Sequence, residues 1–184
     1  MNHIWNEISP SSNIWARENP FLYDKRGYFW PIHSADDAHV NFEIRQQNIS
    51  FSNHNVLRGL HNEIHQAQIV TLVTGSIRDV IVDLRDIYSS LLPPKIYMVR
   101  LSSDHVNQII IPEGCFHGYF VESSQAIIHY SSSTVYNTDN QRGIHWTSEE
   151  IVNLWGEVTP IVSTRDENFP NLRDYISNLR LGHR

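Results

Sequence analysis

The stretch QIVTLVTGSIRDVIVDLR, residues 68–85, constrains this chain more than any other. Two runs rich in β-branched residues meet at Thr74-Gly75-Ser76, and a short Gly-containing break between such runs marks a hairpin. In the second run Arg78, Val80, Val82 and Leu84 share one strand face, and Ile77, Asp79, Ile81 and Asp83 share the other. Further strands are predicted at 40–52, 95–102 and 107–112. CFHGYFVE and AIIHYSSSTVY, the latter at 126–136, follow as a pair joined at ESSQ. Many short strands with little helix between them predict a sandwich or barrel. Helix is expected only near the ends. One segment is 148–155, with Ser148 placed as a cap; the other is 171–179, where Leu172, Tyr175, Ile176 and Leu179 form an apolar stripe.

The 184 residues suit one domain spanning 1–184, with no repeat or low-complexity segment. A formal net charge of -6 argues against a general nucleic-acid binder. It leaves room for an anionic ligand, because a few clustered arginines can hold phosphate in a negative protein. Cys115 is the only cysteine, so an intramolecular disulfide and a Cys-rich zinc site are excluded. No apolar run approaches the ~20 residues of a membrane span. MNHIWNEISP lacks the charged start and apolar run of a signal peptide, so a cytoplasmic location is expected.

Chemistry-bearing residues gather in three places. In NVLRGLH, 55–61, Arg58 and His61 would face opposite sides of a regular strand. Gly59 between them marks either a bulge that turns both toward one cavity or a hairpin corner with a solvated Arg and a capping His. In IPEGCFHGYF, 111–120, the chain turns at Pro-Glu-Gly and His117 begins the next strand; a satisfied core histidine is the plainer reading. Tyr130 shares a face with Ile128 and Ser132, opposite His129, and Tyr136 faces the same way if the strand is unbroken. Both tyrosines also read as ordinary half-buried sheet aromatics. PEGCFH is similar to the second cupin motif, with His61 and His65 a fragment of the first. The HxH pair is missing, and four residues of extended strand separate two side chains by about 13 Å. No bound metal is expected.

Taken together, NVLRGLH, DVIVDLR, IPEGCFHGYFV and AIIHYSSSTVYN resemble the dTDP-4-dehydrorhamnose 3,5-epimerase family. DKRGYFW, 24–30, resembles its early Arg-Gly-aromatic motif, and STRDENFP, 163–170, its late Ser-x-Lys/Arg-Asp segment. The resemblance implies a mainly β, cupin-type jelly roll (a double-stranded β-helix) with short helices near the termini. It implies a homodimer, a nucleotide-sugar substrate, and an active site with neither metal nor cofactor. It assigns His61 as the proton-abstracting base, Asp166 as its supporting carboxylate and Tyr130 as the acid on the opposite face of the sugar. Arg26, Arg58, Gln46 and Asn48 match substrate contacts, with the arginines near the diphosphate and Arg26 drawn from the partner chain. His117 matches a substrate-contacting His, and Tyr136 the aromatic that stacks on the nucleobase. Gln68, Gln141 and Arg165 also fall at substrate-contacting positions.

The residue chemistry fits those roles. A C4 ketone acidifies hydrogens on C3 and C5, and inversion needs a base on one ring face and a donor on the other. Histidine, with an ordinary pKa near ~6.5, can be that base, and a phenol is protonated at neutral pH. The expected activity is epimerisation of a dTDP-linked 4-keto-6-deoxyhexose at C3, C5 or both, through an enolate, in deoxysugar biosynthesis. Three positions depart from the family pattern. Gln68 stands where many members have Lys, Pro31 where a Glu follows the early motif, and Gln141 where a second Glu is common. They keep alternatives open: a CDP-linked 3,6-dideoxy-4-ketohexose 5-epimerase, a related ketoisomerase, a sugar-nucleotide-binding cupin without turnover, or a metal-dependent cupin oxygenase.

Overall fold

The computed structural model describes residues 4–18, 21–63, 65–90 and 92–181. The chain opens with β1 (Trp5–Glu7), β2 (Trp15–Glu18) and the hairpin β3 (Leu22–Asp24) and β4 (Gly27–Phe29). Then come β5 (Gln46–Asn53), β6 (Leu57–Glu63), β7 (Gln68–Thr74), β8 (Ser76–Asp83) and α1 (Arg85–Ser90). β9 (Lys95–Ser102), β10 (Val106–Ile111), β11 (Cys115–Val121), β12 (Gln125–Ser132), β13 (Gln141–Gly143) and α2 (Leu172–Arg180) complete it. A six-stranded sheet, β1-β2-β10-β7-β12-β5, faces a five-stranded sheet, β13-β6-β11-β8-β9, with every ladder antiparallel. This is the expected mainly β jelly roll.

Side-chain alternation builds two cores from the five-stranded sheet. Ile77, Ile81, Tyr119 and Val121 point into the sandwich against Val70, Leu72, Ile109 and Ile128 of the opposing sheet. Val80, Val82, Phe116 and Phe120 point outward under Ile144, Ile151, Trp155 and Leu172 of the C-terminal segment. Both faces are therefore buried, which is why apolar residues occur on both alternating faces of β8. At one end of the sandwich the inward positions turn polar, and the cavity opens there.

Some local expectations need correction. Residues 40–45 are not strand: Val40, Phe42 and Ile44 pack as irregular chain on Trp5, Ile69 and Ile110, over the outer face of the six-stranded sheet. β12 stops at Ser132 rather than running to 136, and a 3-10 turn at Thr138–Asn140 follows. The expected helix at 148–155 is only a 3-10 turn, Val152–Trp155. Ser148 does not cap it; its hydroxyl donates to the His145 carbonyl and accepts the Leu172 N–H, tying this segment to the start of α2. The helix expected at 171–179 is α2, capped by the Asn171 side chain. Helix α1 lies in the middle of the chain, where none was expected; Asp83 accepts the Arg85 N–H at its start.

Candidate active site

The question posed by NVLRGLH is answered by a register slip. His117 pairs with His61 and Tyr119 pairs with Arg58, so β6 carries one extra residue against β11. Gly59 sits at the slip with φ +121°, and a Cβ there would lie 2.5 Å from Gly118 Cα and 2.9 Å from the His117 carbonyl oxygen. The Gly59–Leu60 peptide is cis. Arg58 and His61 both line one cavity of about 360 Å³ between the sheets. Gln46, Asn48, Gln68, His117, Tyr130, Tyr136, Gln141, Arg165 and Asp166 line it as well. Of the site residues that the resemblance assigns, Arg26 is missing from the lining. It lies on the β3–β4 hairpin, 84% exposed, held by Asp24. Of the three departures, Gln68 and Gln141 reach the cavity and Pro31 does not.

His61 and Tyr130 come from opposing walls, His61 on β6 of the five-stranded sheet and Tyr130 on β12 of the six-stranded sheet. His61 Nε2 is 2.7 Å from Asp166 Oδ1. The other carboxylate oxygen accepts the Gly59 N–H at 3.2 Å, and the Asp166 N–H donates to Ser163 Oγ. Burial pushes the Asp166 carboxyl up, but the bonds from His61, Gly59 and Ser163 outweigh it and hold the group below the usual carboxylate value. Asp166 is therefore a fixed anion, and it fixes the ring through Nε2, leaving Nδ1 as the nitrogen free to act. Burial, reinforced by neighbouring Tyr119, holds the Tyr130 phenol well above its ordinary value, so it is protonated at neutral pH.

His117 is held from both sides: Nδ1 is 3.2 Å from Asp79 Oδ2, and Nε2 is 3.1 Å from Gln68 Oε1. Burial raises the Asp79 carboxyl, with His117 partly offsetting it. Gln68 in turn donates to Gln66, and Gln66 donates to Thr134 Oγ1 at 2.8 Å and Glu63 Oε2 at 3.1 Å. Tyr136 arrives on the loop after β12 rather than on the strand. Its N–H donates to Gln46 Oε1 at 2.7 Å, and its hydroxyl meets Gln141 and Arg165. Arg58 donates through Nε to Ser52 Oγ at 3.0 Å and through Nη2 to the Phe51 carbonyl.

Sequence reasoning passed over Asp79, Glu63, Gln66, Ser50, Ser52 and Tyr119. Asp79 carried a signal: a carboxylate placed between Ile77 and Ile81 on a face that must be buried needs a partner. The others are ordinary polar residues until distant strands and the loop after β12 supply their neighbours. His65 is exposed and pairs with Glu113, away from the cavity lining. Among the described residues no three His, Cys, Asp or Glu side chains converge to hold a metal ion.

The family model for dTDP-4-dehydrorhamnose 3,5-epimerase matches residues 11–174. The Shigella flexneri dTDP-4-dehydrorhamnose 3,5-epimerase is 34% identical over 175 residues, covering 91% of this chain and 94% of the relative. The Methanothermobacter thermautotrophicus enzyme of the same description is 35% identical over 167 residues, covering 84% and 88%. The fold superposes on the crystal structure of the Elizabethkingia anophelis dTDP-4-dehydrorhamnose 3,5-epimerase with a TM-score of 0.82, at 29% identity, over 95% of this chain and 98% of that one. It also superposes on the Bacillus anthracis enzyme, solved with TDP and PPi bound, with a TM-score of 0.81 at 27% identity, over 92% and 100%. A jelly roll with a carboxylate-backed histidine facing a phenol, matched nearly end to end by these relatives, places the chain in the dTDP-4-dehydrorhamnose 3,5-epimerase family.

Proposed function

We propose that this enzyme epimerises a dTDP-linked 4-keto-6-deoxyhexose at the carbons flanking its ketone. The observation that carries this is the opposed pair: His61, backed by Asp166, on one wall and Tyr130 on the other. His61 Nδ1 removes the proton from the carbon next to the ketone, and Asp166 stabilises the imidazolium that forms. The electron pair moves to the ketone oxygen as an enolate. Tyr130 then delivers its proton to the same carbon from the opposite face, so the centre inverts. After product leaves, solvent removes the proton from His61 and restores the one on Tyr130. Gln68 offers the enolate a neutral amide where a cation would help more. Arg58 and Arg165, both exposed at the mouth, suit the diphosphate, and Tyr136, 46% exposed, suits a nucleobase.

Incubation with dTDP-4-keto-6-deoxyglucose in D2O tests the reading. Deuterium should enter next to the ketone with inversion in the wild type. His61→Ala should lose both, and Tyr130→Phe should keep exchange while inversion falls about 10²–10⁴-fold. Near-normal inversion in Tyr130→Phe, or exchange in His61→Ala, sinks the assignment. The same incubation with a CDP-linked 3,6-dideoxy-4-ketohexose decides the nucleotide and sugar.

The working unit in this proposal is a homodimer in which Arg26 completes the partner's site. In support, the β3–β4 hairpin exposes Tyr23, Tyr28 and Phe29 beside Arg26, and the outer face of edge strand β5 exposes Ile49 (71%) and Phe51 (53%). Mixing Arg26→Ala with His61→Ala should then restore activity, because each mixed dimer contains one intact site. No recovery, or a fully active monomer by light scattering, overturns it. No described helix is long and apolar enough to cross a membrane; a cytoplasmic location, where nucleotide sugars are made, suits the proposed substrate.

A further inference from the structure

Tyr130 stands at the end of a line of hydroxyl groups that the reaction as written does not use. Its oxygen is 3.4 Å from Ser50 Oγ, which is 3.1 Å from the Tyr119 hydroxyl, which is 3.1 Å from Ser52 Oγ. Arg58 Nε closes the line by donating to Ser52 Oγ at 3.0 Å. The line bridges the two sheets beside the cavity, which Tyr119 and Tyr130 line: Ser50 and Ser52 are on β5, Tyr119 is on β11, and Tyr130 is on β12. Ser52 and Tyr119 are almost fully buried, so water does not compete for the bond between them.

Arg58 favours one direction. A guanidinium only donates, so Ser52 accepts at that bond; each hydroxyl pair further along could donate either way, and the cation at the head favours every hydroxyl passing its proton away from Arg58. Ser52 then donates to Tyr119, Tyr119 to Ser50, and Ser50 to Tyr130. Read the other way, Tyr130 would spend its proton on Ser50 and have none to offer the cavity. We infer that Ser50 and Tyr119 are positioning residues: the Arg58-anchored hydroxyl line makes Tyr130 an acceptor from Ser50, aims its proton at the sugar and stabilises the phenolate left when that proton is delivered.

The proton count is unchanged by this. The Tyr130 O–H bond breaks, a C–H bond forms, and the charge lost by the enolate appears on the Tyr130 oxygen. That oxygen is buried, so without a donor the charge would be costly. Each hydroxyl in the line polarises the next, with a cation at its head. The ring of Tyr119 belongs to the sandwich core, and only its hydroxyl belongs to the line.

This inference rests on Tyr130 being the proton donor, and the test separates the two. Tyr119→Phe keeps the ring and removes one oxygen; Ser50→Ala removes the group that touches Tyr130. In each, inversion should fall about 10- to 10²-fold, the worth of one hydrogen bond to a charged group. KM and His61-driven deuterium exchange should stay at wild-type values, which also reports an intact fold. The double variant should lose no more than the worse single variant, because both interrupt one line. Three results overturn the inference: undiminished inversion in Tyr119→Phe, exchange and inversion falling together, or losses that multiply in the double variant. If Tyr130→Phe loses inversion while Tyr119→Phe does not, this inference alone fails. If Tyr130→Phe itself keeps inversion, both fail.

Discussion

Replacing Asp166 by Asn tests how the base is made, and the geometry sets the size of the effect. Asp166 offers Oδ1 to His61 Nε2–H at 2.7 Å and Oδ2 to the Gly59 N–H at 3.2 Å. An amide of the same shape has one acceptor. If its oxygen turns to His61, its NH2 opposes the Gly59 N–H in a buried site, at a cost of about 1–3 kcal/mol. If its oxygen turns to Gly59, its NH2 donates to Nε2 and drives the ring proton onto Nδ1, the nitrogen that must accept from the sugar. The second arrangement is cheaper for the fold and worse for catalysis. The imidazolium also loses its counter-charge, a charge-assisted bond worth about 1.5–3 kcal/mol, or roughly 10- to 10²-fold. Together these reach about 10²–10⁴-fold, the usual contribution of a general base. The assay is deuterium incorporation from D2O, read by proton NMR and mass spectrometry, with KM measured alongside and circular dichroism to check the fold. Exchange within tenfold of wild type, or a loss carried by KM alone, refutes the reasoning.

Gly59→Ala should destabilise the fold by at least about 2–4 kcal/mol, from positive φ and a collision with backbone that has no rotamer to yield. That is a drop of roughly 5–15 °C in Tm for a chain of this size, and a melting curve within 2 °C of wild type contradicts it. Asp83 is opposed by burial but held below its ordinary value by Arg85, which donates through its backbone N–H and two guanidinium nitrogens. With the folded value depressed, its contribution is present above the unfolded carboxyl value, about 3.9, and is lost as pH falls through the folded value. Asp83→Asn should therefore cost about 1–3 kcal/mol at pH 7, and the gap in Tm between variant and wild type should close below about pH 4. Constant separation down to pH 2 counts against this account. Activity should survive exhaustive chelation, because His117 has both ring nitrogens engaged and His61 Nε2 is held by Asp166; a loss reversed by adding back one metal would show otherwise.

Period-2 patterning determined much of this molecule. β7, β8, β9, β10 and β11 lie within a residue or so of where alternation and turn residues place them, because a strand with a buried face must keep its apolar residues in register. Arg58, His61, His117 and Tyr130 were singled out in distinctive local runs, and Asp166 only through the family resemblance of STRDENFP. Segments whose apolar residues serve another purpose were misread. Val40, Phe42 and Ile44 alternate like a strand but cover Trp5 and Ile69 without joining a ladder, and Ile151 and Trp155 are spaced like a helix yet anchor a turn beneath the second core. Alternation reports burial, and burial alone does not say which backbone delivers it. The tertiary structure alone decided the contacts between segments distant in sequence. The Arg58–His61 slip needs Gly118 of β11 against Gly59, the Asp166 dyad joins residues 105 apart in sequence, and the Tyr130–Ser50–Tyr119–Ser52 line needs three strands from two sheets. A hydroxyl or a carboxylate has no role until a partner distant in sequence stands within 3.5 Å, and that distance is set by how the strands pair and the sheets close around their core.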